Sequence, residues 1–309
     1  MRIIEYSGVK DYSPIIQDEI CNLKAGEKLI VEGGTMKCST GLDLSMIKPQ
    51  SVLEFNSVLV FDKSVEKAIH IEGKNLYEID VFFNAIRMRG WANNPDYDEY
   101  EHTGLYIKHL YQSNIRVNSI LGFGEGIVIE SEGQEDANGN LKAKGSYYNE
   151  IHFRGIRQCK TCMVLRTKNH KGFINSNIFF GGIFAGYNGL VFEGNNGQDP
   201  FNNNAFYGLG FENIINSVCK LRYSKGNSFY SPRFEQGKQG LLMQGGWIDE
   251  DLTNQSNHFF IDLPIYEKAF SNQNGKMSEV HGHIMDNSGK ILGRGKINNW
   301  KGQGSYITP

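Results

Sequence analysis

Proline is scarce in this chain, with 7 among 309 residues, and cysteine is scarcer still at 5. An odd cysteine count excludes a framework stapled by disulfides alone and places synthesis in a reducing compartment. No run approaches the ~18 apolar residues of a membrane-spanning helix, and the opening MRIIEYSGVKDYSPIIQ has no apolar signal-peptide core. A soluble chain that does not leave by the ordinary export route is expected. Net charge is nearly lacking as well, since 32 basic side chains face 34 acidic ones. That balance argues against a phosphate-tracking nucleic-acid binder, and 39% hydrophobic residues argue against a disordered tail. Glycine (36) and asparagine (30) are plentiful. With so little proline, they call for many tight turns rather than long helices, and hence for an all-β chain.

The chain repeats itself. A small or apolar residue followed by apolar, any, apolar occurs at Gly41-Leu-Asp-Leu, Ala68-Ile-His-Ile, Gly104-Leu-Tyr-Ile and Gly126-Ile-Val-Ile. It continues at Cys162-Met-Val-Leu, Gly189-Leu-Val-Phe, Val218-Cys-Lys-Leu and Gly240-Leu-Leu-Met. The starts lie 27, 36, 22, 36, 27, 29 and 22 residues apart, and the two long gaps hold polar insertions, Trp91 to Thr103 and Glu132 to Gly145. A second unit runs out of phase: Asn149-Glu-Ile-His-Phe, Asn177-Ile-Phe-Phe-Gly, Asn204-Ala-Phe-Tyr-Gly, Asn227-Ser-Phe-Tyr-Ser and Asn257-His-Phe-Phe-Ile. Two short alternating strands per period, with Gly or Asn at the corners, predict a right-handed parallel β-helix. The five Asn residues are expected to form an inward ladder ~4.8 Å per rung.

Over 11–23, Ser13 can cap a helix, Pro14 fits its first position, and Ile15, Ile16, Ile20 and Leu23 share a face, so a short helix should plug the first coil. The organisation read from the sequence is a capping segment over 1–25, the β-helix over 26–275 and a C-terminal segment of strands or extended chain over 276–309. In the repeat register Cys162 takes the small corner position, Cys219 points inward, and Cys159 falls in a turn. The Cys159-x-x-Cys162 pair is then accidental, no second pair completes a metal set, and no metal or cofactor is assigned.

The opening Gly26-Glu-Lys-Leu-Ile-Val-Glu-Gly-Gly-Thr-Met after a capping helix resembles the entry of the pectate-lyase-like β-helix superfamily. The coils Asn204-Ala-Phe-Tyr-Gly-Leu-Gly-Phe-Glu212 and Gly226-Asn-Ser-Phe-Tyr-Ser-Pro-Arg-Phe-Glu235 resemble those of bacteriophage tailspikes and capsule depolymerases, and the resemblance covers roughly 10–275. It implies a homotrimer on a virion tail, made in the bacterial cytoplasm and extracellular after phage release. It also implies that the partner is a capsular or other surface polysaccharide, bound and usually cleaved.

Outward charges after the first unit, Glu72, Lys108, Glu130, Arg166, Glu193 and Arg222, alternate in sign and read as a solvated ion-pair ladder, so Glu130 and Glu193 are not nominated. Glu212 and Glu235 instead stack two carboxylates with no cation between them, an arrangement suited to acid-assisted glycosidic cleavage. Glu235, beside Arg233, is expected to be the nucleophile or base and Glu212 the acid. The column His152, Phe180, Tyr207, Tyr230 and Phe260 points outward, and sugar rings stack on such faces. Tyr207, Tyr230, Arg233, His152 and Asp199 are the expected substrate-binding residues. Glycoside hydrolysis leads; a non-catalytic adhesin is the alternative, as is a lyase using Tyr207 or His152 with Arg233 or Arg154. Acids at 249–251 offer no specific calcium spacing. Val128, Val164, Val191 and Leu242 form an outward apolar column that a three-fold assembly would cover.

Overall fold

The computed structural model describes residues 1–73, 77–90, 100–194, 200–235, 247–250, 257–261, 265–266, 270–272, 279–285, 291–298 and 305–307. The chain is all-β apart from one helix and winds as a parallel solenoid, each strand pairing with its counterpart one coil later. Four columns of strands result. Face A carries the first repeat unit, from Leu42–Asp43 through Lys67–Glu72, Thr103–Lys108 and Glu125–Ser131 to the later coils. Face D is short and holds Lys144–Tyr147, Gly172–Asn175, Phe201–Asn202 and Ser224–Lys225. Face B carries the asparagine unit, and face C follows it, with Gly210–Glu212 against Arg233–Glu235.

Alternation explains why these segments are strands. On face B the residues Leu53, Val81, Ile115, Ile151, Phe179, Phe206, Phe229 and Phe259 share one register and are all buried. The last four rings stack at 4.5, 4.7 and 4.3 Å between centroids. Slipping the register by one residue would turn this whole column out into water, so the inward column fixes which residues face out.

The corner between faces D and B repeats with the same backbone. Gln112, Tyr148, Ser176, Asn203 and Gly226 all have positive φ, between 49° and 63°, and each directly precedes a ladder residue. The left-handed residue turns the chain and aims the next N–H along the stack. The backbone N–H and side-chain Nδ2 of Asn149 both donate to Asn177 Oδ1, those of Asn177 to Asn204, those of Asn204 to Asn227, and those of Asn227 to Asn257. The ladder expected from the sequence is present and buried. It extends one rung lower, where Ser113 N–H donates to Asn149 Oδ1.

The helix spans Ser13–Cys21 with Tyr12 rather than Ser13 at its N-cap. Ile16, Ile20 and Leu23 are buried, but Ile15 is exposed, because successive helical residues point about 100° apart and Ile15 falls outside the stripe. Arg2–Glu5 pairs in parallel with Lys28–Glu32. Towards the other end, Glu279–Met285, Ile291–Asn298 and Ser305–Ile307 pair antiparallel. The insertion after Glu132 forms a hairpin, Gln134–Glu135 with Leu141–Lys142. Among the described residues no helix is long and apolar enough to cross a membrane.

Three sequence expectations need correction. Val128 and Val164 are fully buried within the single chain, where they cluster with Tyr106, and Val191 is nearly so. Arg166 bonds Glu125 before the column on one strand and Glu193 after it on another, a bracket that crosses the valines. The trimer expectation therefore loses the apolar column on which it stood; Leu242 lies outside the described residues. The outward charges do stand in register from Glu72 to Glu193, and Arg166 pairs with Glu193 from one rung to the next, but Glu130 is buried rather than solvated. Cys159 lies not in a turn but inside the strand Glu150–Thr167, at a bulge, fully buried.

Candidate functional site

The outward column of face B is a continuous stack of rings. From His152, centroid separations run 4.5 Å to Phe180, 5.4 Å to Tyr207, 4.7 Å to Tyr230, 4.9 Å to Phe260 and 4.6 Å to His281. Five rungs at the spacing of paired strands extend it over about 24 Å. Pairing in register forces each ring over the next, since Phe180, Tyr207 and Tyr230 are direct partners. Phe180 keeps 37% and Tyr207 39% of its surface exposed. A solenoid core explains the inward phenylalanines, but it does not explain a wet aromatic stripe.

The predicted carboxylates fall on face C. Glu212 and Glu235 are direct register partners on adjacent strands. Arg233 lies two residues before Glu235 on the same strand, its guanidinium 3.3 Å from the Glu235 carboxylate and against the bare backbone of Gly210. Among the described residues no cation pairs with Glu212. Tyr207 and Glu212 share a coil and occupy adjoining faces, separated by the corner at Gly208, whose φ of +64° lets the chain turn there. The structure thus brings Tyr207, Tyr230, Glu212, Glu235 and Arg233 onto two neighbouring coils. His152 sits at the lower end of the stripe. Asp199 lies outside the described residues, as does Asp251.

A groove of about 410 Å³ opens where the stripe begins, between Phe82, Arg116, His152, Arg154 and Phe180. The register extends the outward column downward through Arg116 and Phe82 to Glu54. Arg116 is held by Asp80 at 2.9 Å, and His152 Nε2 is 3.6 Å from Glu150. Arg154 is exposed and forms no ion pair among the described residues. Two further hollows, one beside Asp43 and His70 and one beside Glu78, Asp80 and Glu150, contain none of the predicted site residues.

A separate titratable cluster lies buried on face A. Tyr106 Oη donates to Glu130 Oε1 at 2.6 Å, and Lys168 Nζ reaches the same carboxylate at 2.9 Å. Burial, reinforced by the bond to Glu130, raises the Tyr106 phenol above its ordinary range. His109 Nε2 lies 3.0 Å from the Glu132 carbonyl oxygen and 3.1 Å from its amide nitrogen, while Nδ1 meets no partner among the described residues. Burial, with Lys144 and Lys108 nearby, pushes the imidazole down to about 4. Glu130 is 2% exposed, so no ligand reaches it, and we assign the cluster to structure. Cys159 and Cys162 are equally inert. Burial pushes the Cys159 thiol up to about 12 and raises Cys162 well above its usual value, leaving little thiolate. Among the described residues no three His, Cys, Asp or Glu side chains gather around a possible metal position.

No family model, curated protein or solved structure matches this chain. The site therefore stands on its own geometry. Sequence reading missed Phe82 and Arg116 because the asparagine that marks the register is Ile79 and Ser113 in those coils. It missed the Tyr77, Tyr111 and Tyr147 stack at 5.7 and 5.5 Å for the same reason. The pairing Tyr111–Tyr147 spans an insertion, and no fixed period crosses it.

Proposed function

We propose that this protein binds a bacterial surface polysaccharide along the aromatic stripe of face B and hydrolyses its glycosidic bonds with Glu212 and Glu235. The observation that carries this reading is the six-ring stack from His152 to His281, with Phe180 and Tyr207 open to solvent. A row of aromatic faces repeating along one axis fits a polymer of flat, partly apolar rings, and no compact metabolite would use its length. The proposal includes the resemblance of these coils to phage tailspikes and depolymerases, the right-handed winding those folds share, and the role of the helix Ser13–Cys21 as a plug on the first coil.

In the hydrolytic step Glu212 gives its proton to the glycosidic oxygen while the Glu235 carboxylate, oriented by Arg233, attacks the anomeric carbon. Water then attacks the glycosyl-enzyme and returns a proton to Glu212. Register partners stand ~4.8 Å apart at the backbone, close to the ~5–5.5 Å of retaining enzymes, so retained configuration is expected. Incubation with capsular and O-antigen polysaccharides tests the reading. New reducing ends that retain the anomeric configuration are expected, with a loss of at least ~100-fold in Glu212→Gln and Glu235→Gln while binding persists. Losses of only a few-fold would remove both residues from catalysis. Unsaturated products absorbing in the ultraviolet would favour the lyase alternative, for which His152 and Arg154 share one groove. Binding without any product would mark an adhesin.

A further inference from the structure

The lower end of the stripe differs chemically from the rest. Above His152 the outward column is wholly aromatic until His281, whereas the groove at its foot places Arg116, His152 and Arg154 around Phe180. Two of these three are already engaged, Arg116 by Asp80 and His152 near Glu150. Arg154 is not. In the register it stands above Asn118, which itself bonds Asn84 and has no charge to offer. The next coil presents Gly181 and Gly182 over it. A Cβ on Gly182 would lie 2.0 Å from the Arg154 carbonyl oxygen, so this crossing tolerates no side chain, and the guanidinium is left uncovered beside the Phe180 ring.

An uncovered guanidinium flanked by an aromatic face is a site for a planar or tetrahedral anion on a ring that stacks. We infer that Arg154 binds an anionic substituent of the glycan, a carboxylate or a phosphate, on the sugar unit that stacks at the His152–Phe180 end of the stripe. The substrate class is thus an acidic polysaccharide. This inference rests on the proposed glycan-binding role of face B. From the coil of Arg154 to those of Glu212 and Glu235 is two and three rungs, about 10 and 14 Å. The anion is thereby held away from the two carboxylates, and its charge fixes the register in which the chain crosses them.

The test is binding of the intact chain to purified bacterial polysaccharides of known composition, grouped as neutral, uronate-bearing and phosphate-bearing, across a sodium chloride series. Wild-type protein is expected to retain acidic polysaccharides only, with affinity falling as salt rises. Arg154→Gln should bind at least tenfold more weakly with a flatter salt dependence, Arg154→Lys should recover part of the loss, and thermal midpoints should match. Selective binding of the uronate or of the phosphate group identifies the anion, and either supports the inference. If wild type retains neutral polysaccharides equally, or if Arg154→Gln binds unchanged while Tyr207→Ala and Phe180→Ala lose binding, the anion site is overturned and the glycan face stands. If no polysaccharide binds, both fall.

Discussion

The lower and upper coils of faces B and C share one backbone and differ in what they show to solvent. In the lower coils the outward residues satisfy each other. Lys28 pairs with Glu54 at 2.7 Å, Arg116 with Asp80 at 2.9 Å, and Asn118, Asn84 and Asn56 bond in series. In the upper coils the same column becomes Phe180, Tyr207, Tyr230 and Phe260, stacked but open. The inward residues on both sides are equally buried, so packing does not account for the change. A solenoid separates the two tasks by alternation. One side of each strand must hold the coil together, and the other is free to take on a ligand.

Neighbouring residues on one strand give the sharpest contrast. Phe179→Ala should cost about 3–5 kcal/mol, because a fully buried ring leaves a cavity within a stack, whereas Phe180→Ala should cost under about 1 kcal/mol and act on glycan binding. Urea denaturation of the two variants checks this, and equal losses would mean that the stripe is structural. Acidification probes the lower coils. With His109 at about 4 when folded and ~6.5 when unfolded, the unfolded chain takes up the extra proton between those values. Stability is full above pH ~6.5 and declines as pH falls towards 4, by about 3 kcal/mol in total. A flatter stability–pH profile for His109→Gln over that window would confirm the assignment.

The ladder comes next. Asn204→Ala removes the acceptor of two Asn177 donors and the donor to Ile174 and Asn227, and should destabilise by about 2–3 kcal/mol. Protection of the Asn177 amide from hydrogen exchange should drop with it. The smallest effect belongs to the lower surface. Arg116→Ala should cost about 0.5 kcal/mol or less, vanishing in high salt, as its pair with Asp80 is largely solvated.

Much of this architecture is legible in the sequence. The Asn149 to Asn257 spacing marks the corners, the alternation after each Asn assigns Phe179 inward and Phe180 outward, and Glu212 and Glu235 fall into register because both end the same nine-residue pattern. Reading failed where the marker residue changed. Ser113 keeps the corner without asparagine, since its backbone N–H donates to Asn149 and its hydroxyl accepts from the Ile79 N–H, and so the lower coils looked irregular. It failed again for Val128 and Val164, whose outward parity was right but which are buried in a cluster with the Tyr106 ring from another strand.

The sequence by itself determined the local terms: which residues alternate, where a left-handed corner recurs, and hence that aromatic and acidic side chains line up along a solenoid. Tertiary structure alone decided which outward residues stay wet. Burial of an outward side chain depends on long side chains arriving from other strands. The Tyr106–Glu130–Lys168 cluster, the covered valines and the open Arg154 are all consequences of that distant packing, which no repeat period encodes.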